Sequence, residues 1–336
     1  AFHQFFTKDT IEWYGDRGVR LKTEEDGRMF PVTDSSQTII DCLLRESEKH
    51  RVQIMMNGTV EAITRREDGF HLQLNGNRSL QADYVCVAAG GYPKSSMFAW
   101  LSEFQHSIVE PVPSLFTFNI PGHSITKLMG ITVEEAIVRI SGTKLMQQGP
   151  VLITHWGLSG PAVLRTSAWG ARELAALNWN FPVTINWLTA YNEQTLREAF
   201  MEKRHQLAAQ KIQNRNPFGL PGRLWEYFLL EAGVKTDTRW ADLPAREQNK
   251  LIRSLVSSEF SVKGKTTFKE EFVTAGGISL SEVDPNTMMS RKVPGLFFAG
   301  EILDVDGVTG GFNFQHAWTS GFIAATHIAD LSGKVN

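Results

Sequence analysis

The sequence has few cysteines, no long apolar run and little net charge, and each shortage excludes a class of protein. Its two cysteines, Cys42 and Cys86, lie in the stretches DCLLR and YVCVAAG, which are typical of a helix face and a buried strand. A disulfide framework is therefore not expected, and a reducing cytoplasm fits the composition. No stretch approaches the ~20 apolar residues that cross a bilayer, and the first residues lack the pattern of a secretory signal. We expect a soluble, cytoplasmic protein without a membrane partner.

The formal net charge is only −2, so the chain creates no broad positive field that would attract a polyanion. We therefore expect no nucleic-acid partner and a small-molecule substrate instead. The nine histidines include no closely spaced pair. His316 and His327 share one face of a predicted helix but lie about three turns apart. No metal site is predicted.

The chain has 336 residues, of which 42% are hydrophobic. This is enough apolar material for at least two hydrophobic cores. Near the N-terminus, Asp26-Gly27 predicts a hairpin turn, and a helix follows with apolar residues at helical spacing from Ile39 to Leu44. Four strands are then expected, VQIMM, TVEAITRR, FHLQL and DYVCVAAGG, the middle ones joined by turns. The last is apolar throughout, as in a strand buried on both faces of a parallel sheet.

Further along, the segment EPVPSLFTFNIPG introduces prolines and a change in residue composition near Val109, which indicates that the chain leaves its first domain. Short strands and one helix at 162–174 follow, and then helical patterns at 193–213 and 243–257. Strands return at FSVKG, EEFVTAGGI and GLFFAGEI before a final helix at 314–330. The sequence therefore predicts one domain from 1–108 and 278–336, and an inserted β-rich domain, 109–277, with a helical subdomain at about 192–258.

The region GLFFAGEILDVDGVTGGFNFQHAWTSG combines a buried strand, a glycine-acid step, a double-glycine turn and a helix. Gly300 lets a ligand approach the backbone, and Glu301 and Asp304 can accept hydrogen bonds from ligand hydroxyls. Gly310 and Gly311 shape a turn whose N–H groups, with the helix N-terminus, favour an electron-rich ligand such as reduced flavin. Taken alone, a glycine turn before a helix is usually only a turn.

A second glycine-tipped strand makes flavin the leading interpretation. In DYVCVAAGGYPKSS, the residues Ala89, Gly90 and Gly91 follow a buried strand directly, at the carboxyl edge where open α/β sheets bind ligands. The hairpin at 60–74 stands where such folds replace a helical crossover.

These motifs, with PSLFTFNI, LITHWGLSGPAVL and FVTAGGISL, resemble the HI0933-like flavoproteins, which include NAD(FAD)-utilising dehydrogenases and aminoacetone-oxidase-like proteins. The resemblance spans nearly the whole chain. It implies an α/β fold whose FAD domain, Rossmann-like and of the two-dinucleotide-binding-domain type, is split by a β-rich domain with a helical excursion. It also implies that Val60 lies near the adenine and that the following residues border FAD: Gly300, Glu301, Asp304, Gly310, Gly311, Phe312, Asn313 and Gln315.

Two departures from the family pattern affect the cofactor. Members begin with a strand, a G-x-G-x-x-G turn and a helix, and this sequence has no equivalent. We therefore expect a fragment that binds FAD poorly or not at all. The segment after Gly91 is also shorter than in relatives, which leaves the contacts of residues 92–96 open.

Catalytic residues are only weakly indicated, and the candidates are His155, Thr309 and Asn313. In HWGLSGPAVL, Ser159 or Gly160 before Pro161 is more simply a helix start, and Pro161 excludes the G-x-S-x-G pattern of a serine hydrolase. Thr274, Gly276 and Gly277 fit a flavin contact and a domain hinge equally well. The cluster of Trp225, Tyr227 and Phe228 is expected in a core.

The sequence thus predicts an FAD-dependent oxidoreductase in which NAD(P)H reduces the flavin and a small organic acceptor takes the hydride. The reduction of an activated double bond fits this scheme. The alternative is a non-catalytic flavin-binding or redox-sensing protein.

Overall fold

The computed structural model describes residues 1–25, 27–266, 273–308 and 311–333. It divides the chain into two compact units, Ala1–Val112 with Thr274–Asn336, and Pro113–Val273. The sequence placed these divisions at 108 and 277, a few residues away on each side. Within the described part of the chain, no helix is long and apolar enough to cross a membrane.

The first unit begins with two helices that flank a short antiparallel ribbon, followed by a three-stranded antiparallel sheet. Of the predicted Asp26-Gly27 turn, Asp26 lies outside the described residues, and Gly27 donates its N–H to the carbonyl of Glu24 at 2.9 Å. The helix after it agrees with the sequence pattern. The elements are α1 (Thr7–Gly15), β1 (Leu21–Thr23), β2 (Met29–Pro31), α2 (Gln37–Lys49), β3 (Val60–Arg66), β4 (Gly69–Leu74), β5 (Arg78–Ala82), β6 (Val85–Val87), a run of 3-10 turns at Ser95–Phe104, and β7 (Ile108–Ser114).

The second unit is built on a seven-stranded sheet with helices packed against it. Its elements are β8 (Thr117–Asn119), a 3-10 turn at Ser124–Leu128, β9 (Thr132–Ile140), β10 (Met146–Ile153), β11 (Gly157–Ser159), α3 (Pro161–Trp169), α4 (Ala171–Ala176), β12 (Asn180–Asn186), α5 (Glu193–Gln206), α6 (Gly222–Ala232), α7 (Ala245–Val256), β13 (Ser258–Lys263) and β14 (Lys265–Thr266). The strand order is β13-β12-β9-β10-β11-β8-β14. Trp225 and Phe228 are buried in its core, as expected, and Tyr227 packs against it.

The chain then returns to the first unit with β15 (Val273–Ile278), which pairs with β7, and with β16 (Leu296–Phe298) and α8 (Phe312–Leu331). Strand β16 runs parallel to β6, with Leu296 opposite Val85 and Phe298 opposite Val87. Because parallel strands end at the same edge of a sheet, the glycine-bearing segments that follow β6 and β16 emerge side by side. The fold is α/β with mixed sheets.

Two expectations about the strands of the first unit were wrong. The segment VQIMM forms no strand, and Val52 and Met56 are 57% and 76% exposed, because it pairs with no strand among the described residues. Strand β6 buries only Val85 and Val87, whereas Cys86 between them is exposed. Successive side chains of a strand point to opposite faces, so the described residues bury only one face of β6.

Two predicted helices are interrupted. The helix expected at 162–174 is divided at Gly170 into α3 and α4, because glycine is a poor helix former. A Cβ at this position would lie 2.6 Å from Cδ1 of Leu145, so glycine fits there without displacement. The helix expected at 193–213 ends at Gln206.

Candidate functional site

The end of β16 is fixed to the middle of α8 through Gly300. Its backbone N–H donates to Oγ of Ser320 at 2.9 Å, and its φ of +71° lies in the region that favours glycine. The preceding residue, Ala299, donates its N–H to the carbonyl of Val87 at the end of β6, at 3.0 Å. The two strand ends and the helix therefore form one connected structure.

A tight cluster of Gly91, Thr274 and Glu301 lies at this edge. The N–H of Thr274 donates to Oε1 of Glu301 at 3.1 Å. A Cβ placed on Gly91 would lie 2.9 Å from Cβ of Thr274 and 3.2 Å from Cγ of Glu301, so only glycine fits without displacement. The segment after β6 thus packs directly against the side chains of Thr274 and Glu301.

Thr274 carries an unsatisfied polar atom in this cluster. The residue is 1% exposed, and its Oγ1 is buried with no hydrogen-bond partner among the described residues. A buried hydroxyl without a partner costs about 1–3 kcal/mol, which a ligand atom at that point would recover. The site therefore has a hydroxyl group without a hydrogen-bond partner among the described residues, beside the strands that end in glycine.

Gly276 and Gly277, further along β15, are explained by close packing within the first unit. A Cβ on Gly276 would lie 2.7 Å from the carbonyl oxygen of Glu110, and one on Gly277 would lie 3.1 Å from the carbonyl carbon of Ile302. Both have positive φ values, +121° and +134°. Close backbone packing therefore accounts for both glycines without a domain hinge or a flavin contact.

Helix α8 begins after Gly311, whose φ of +90° is left-handed and which leaves the helix start without a side-chain cap. Asn313 holds the preceding loop, because its Oδ1 accepts from the N–H of Gly307 at 2.7 Å and its Nδ2 donates to the carbonyl of Gly307 at 3.2 Å. Phe312 is 59% exposed. Two predicted site residues, Thr309 and Gly310, lie outside the described residues.

The remaining predicted cofactor residues are spread over the first unit. The side chain of Gln315 is directed to α1, where Nε2 donates to Oγ1 of Thr10 at 2.9 Å, and it is also bonded to Thr319. Asp304 donates its N–H to the carbonyl of Ile278 at 2.9 Å. Val60 is the first residue of β3 and is partly buried against the core. Ala89 and Gly90 follow β6 and remain accessible.

His316 interacts with the backbone of Gly300, and the sequence gave no functional signal for it beyond its place in the helix. Burial lowers its pKa, against the opposing effect of the Gly300 carbonyl, so the imidazole is neutral at neutral pH. Its Nε2 is buried without a partner in the part of the chain described. Ser320, which holds Gly300, was likewise missed, because such a contact between distant residues leaves no local pattern.

His155 belongs to the second unit, whereas the other described candidates belong to the first. It is exposed in the turn between β10 and β11, and its ring packs edge-on against Trp156 at 4.4 Å. After β11, Gly160 is the N-cap of α3 and Pro161 its first residue, which confirms the predicted helix start. No group of three metal-ligating side chains occurs among the described residues.

Comparison with known proteins gives a match to the HI0933-like protein Rossmann domain over residues 1–327, which confirms the resemblance drawn from the motifs. The ribosomal RNA dihydrouridine synthase of Escherichia coli K12 is 32% identical over 97% of this chain and 80% of its own. A 3-dehydro-bile acid delta(4,6)-reductase of Clostridium scindens is 26% identical over 97% and 81%. The ribosomal RNA dihydrouridine synthase of Haemophilus influenzae is 28% identical over 98% and 81%. These names indicate an oxidoreductase.

The expectation that nucleic acid is excluded was wrong, because two of these relatives are named as acting on ribosomal RNA. Net charge is a sum over the whole chain, and a sum near zero does not exclude a local surface that binds RNA.

Proposed function

Because the chain belongs to the HI0933-like family, whose Rossmann domain it matches over residues 1–327, we propose that it is an FAD-dependent oxidoreductase that reduces a ring carbon–carbon double bond. The observation that carries this proposal is the cluster of Gly91, Thr274 and Glu301 at the shared carboxyl edge of β6 and β16. A ligand-binding crevice at that edge is the general arrangement of open α/β sheets.

The residues at this edge fit a flavin nucleotide. Gly91 lets the segment after β6 pack directly against Thr274 and Glu301, Thr274 offers a buried hydroxyl without a partner among the described residues, and the start of α8 offers the positive end of a helix dipole. The carboxylates of Glu301 and Asp304 can accept hydrogen bonds from ribityl or ribose hydroxyls. The proposed binding residues are Val60, Ala89, Gly90, Gly91, Gly300, Glu301, Asp304, Gly311, Phe312, Asn313 and Gln315.

When bound, FAD supplies the hydride chemistry, with NAD(P)H as the proposed electron donor. The protein's own contribution is to hold the reacting partners in place. Asn313 fixes the loop before α8 through its two bonds to Gly307, and Ser320 fixes Gly300. Exposed Phe312, at the start of α8, offers an apolar face against which a planar substrate can be positioned.

The relatives' names suggest one substrate chemistry. Dihydrouridine is uridine reduced across a ring double bond next to a carbonyl, and a delta(4,6)-reductase reduces ring double bonds of a steroid. We propose a uracil base in RNA as the first substrate to test, because the relative with 32% identity acts on ribosomal RNA. A steroid dienone is the second, favoured by the bile acid reductase at 26%.

The test supplies the purified protein with FAD and either NADH or NADPH, and offers unmodified ribosomal RNA or a 3-oxo-4,6-dienoic bile acid in parallel. Oxidation of the nicotinamide that depends on one substrate, together with a product that has gained two hydrogens by mass spectrometry, would support the proposal. If the protein binds FAD and turns over neither substrate, the proposed reaction is wrong and a non-catalytic flavin protein becomes the better account.

Replacing Thr274 with valine tests the flavin contact directly. We expect about tenfold weaker FAD binding, because the variant lacks the buried hydroxyl, whereas the stability of the flavin-free protein should stay equal or rise. Thr274→Ser, which keeps the hydroxyl, is the matched control. Titration with FAD followed by flavin fluorescence gives the affinities, and equal affinities for both variants would exclude Thr274 as a contact.

A further inference from the structure

The loops that follow α5 and α6 in the second unit are joined by a short antiparallel bridge, in which Lys211 lies opposite Arg239. One backbone hydrogen bond of 3.0 Å closes the bridge on each side, from the N–H of Ile212 to the carbonyl of Thr238 and from the N–H of Trp240 to the carbonyl of Gln210. Because these bonds flank the bridged residues, Lys211 and Arg239 form a non-hydrogen-bonded pair. The Cα atoms of such a pair are only about 4.5 Å apart.

The bridge places two positive charges side by side at the surface. Ile212 and Trp240, the next residues along the two loops, are buried, whereas Lys211 and Arg239 are exposed. Like charges directly opposite each other in such a pair are destabilising. Neither side chain has an ion-pair or hydrogen-bond partner among the described residues. An anion placed across both side chains would remove the repulsion.

Each loop carries one further exposed cation, Arg215 on the first and Lys235 on the second. The loops, 207–221 and 233–244, contain four cations and two acids, so their net charge is +2 in a chain whose total is −2. Both acids, Asp237 and Asp242, belong to the second loop. We call the four cations the basic cluster: Lys211, Arg215, Lys235 and Arg239.

Two buried tryptophans hold the first loop from beneath. The indole N–H of Trp225 donates to the carbonyl of Ile212 at 3.0 Å, and that of Trp240 donates to the carbonyl of Arg215 at 3.2 Å. The two indole rings stack on each other with their centres 6.4 Å apart. The backbone that carries the basic cluster is therefore fixed by the core of the unit, so only side-chain freedom is lost when a ligand binds.

The surroundings of the basic cluster favour a nucleic-acid backbone over a protein. The structure describes every residue of the two loops, and none of their large apolar side chains is exposed. Their exposed neutral side chains include the polar Gln210, Asn214 and Thr236. Protein interfaces depend on aromatic and other apolar anchors, whereas phosphates are contacted by lysine, arginine and short polar side chains.

We propose that the basic cluster binds the phosphate backbone of RNA, with one phosphate group placed across Lys211 and Arg239. The inference rests on the RNA substrate of the proposed function, and it names the surface of the second unit that holds this RNA. The relatives named for ribosomal RNA supply the class of polyanion. Contacts to phosphate carry no sequence information, so the basic cluster positions the RNA and does not select the base.

The probe is a fluorescein-labelled, unmodified ribosomal RNA transcript. Its binding to the purified protein is measured by fluorescence anisotropy at a series of salt concentrations, without FAD or nicotinamide. The double variant Lys211→Gln, Arg239→Gln should bind the transcript about tenfold more weakly at low salt. The slope of log affinity against log salt should become shallower by about 1.5, which corresponds to two lost phosphate contacts. The melting temperature should stay equal or rise, because a pair of like charges is removed.

Two controls separate local contacts from overall charge. The exchange variant Lys211→Arg, Arg239→Lys keeps both charges and should bind the transcript as the natural protein does. The variant Lys144→Gln, Lys263→Gln removes the same charge from exposed positions elsewhere in the second unit, and it should weaken binding less than about twofold. Thermal melts verify that all three variants are folded.

The inference is overturned if the natural protein does not bind the transcript, or if Lys211→Gln, Arg239→Gln binds it with unchanged affinity and salt dependence. An equal loss of affinity in the Lys144→Gln, Lys263→Gln variant would overturn it as well. Polyglutamate that displaces the transcript as effectively as unlabelled RNA would assign the basic cluster to acidic polypeptides instead. Reduction of RNA is scored separately: a protein that binds RNA through the basic cluster but reduces nothing contradicts only the proposed reaction.

Discussion

At the proposed flavin site, Gly91 is the residue whose lack of a side chain matters most. Gly91→Ala would place a Cβ 2.9 Å from Cβ of Thr274, which forces the strand ends apart. We expect at least tenfold weaker FAD binding, measured as flavin retained per protein after gel filtration. Gly15→Ala is the control, because a Cβ there meets nothing within 4 Å. Equal flavin retention in both variants would show that the cluster does not shape the site.

The carboxyl group of Glu282 should make the stability of the first unit depend on pH. Burial opposes ionisation of its carboxyl, but hydrogen bonds from Lys292 at 2.8 Å and from Ser107 at 2.7 and 2.8 Å outweigh it and lower its pKa from 4.5 to about 2. Because the folded-state pKa is depressed, the contribution to stability is complete above pH 4.5 and is lost as the pH falls toward 2.

Glu282→Gln should therefore lower the free energy of unfolding by about 2 kcal/mol at neutral pH. The difference from the natural protein should shrink as the pH is lowered through the acid range. Urea unfolding at a series of pH values measures it. Glu259→Gln breaks an exposed ion pair with Arg253 and should change stability by no more than ~0.5 kcal/mol. A pH-independent difference for Glu282→Gln would contradict the stated cause.

At the scale of single residues, the sequence predicted what local rules control. Glycines after a buried strand and the Gly160-Pro161 helix start follow from backbone geometry, so they could be assigned from a few neighbouring residues. The contacts of Gly91 with Thr274 and of Gly300 with Ser320 join residues far apart in the chain. No local pattern encodes such pairs.

Among the elements, α8 connects the proposed flavin site to α1 and carries a glycine in its interior. A Cβ on Gly321 would meet nothing within 4 Å, and glycine within a helix costs about 1 kcal/mol relative to alanine. Gly321→Ala should therefore raise the free energy of unfolding by about that amount, as measured in urea. Gly222→Ala, at the first residue of α6, should have a smaller effect. A loss of stability in Gly321→Ala would indicate that something closely approaches this face of α8.

Most elements could be predicted because their apolar spacing is regular. The alternation along β9 and the spacing along α7 specify one buried face each. The apolar residues of α2 are spaced as in a helix, but Ile40, Leu43 and Leu44 are more than 40% exposed. The prediction of a strand at VQIMM was wrong because a strand needs a neighbouring strand to pair with. The residues of the segment do not show whether such a neighbour is present. Gly170 divides a predicted helix because glycine is a poor helix former, and the contact with Leu145 that leaves no room for a Cβ there comes from a distant part of the chain.

For the whole molecule, the family and the α/β fold could be predicted, whereas the kind of substrate could not. The motifs at the two strand ends are specific enough to identify a Rossmann-type protein. Overall charge misled the assignment of partners, since relatives named for ribosomal RNA share the same fold family. Charge summed over a chain describes its long-range field and not the chemistry of one site.

The central claim is that FAD binds at the shared edge of β6 and β16. The measurement that tests it most directly is the visible difference spectrum of the purified protein during titration with FAD to saturation, without removal of free cofactor, recorded beside that of Gly91→Ala. We predict a saturable shift of the oxidised flavin bands in the natural protein and a higher FAD concentration at half saturation in the variant. A natural protein that leaves the flavin spectrum unchanged even at saturating FAD would contradict the cofactor assignment and the reaction proposed from it.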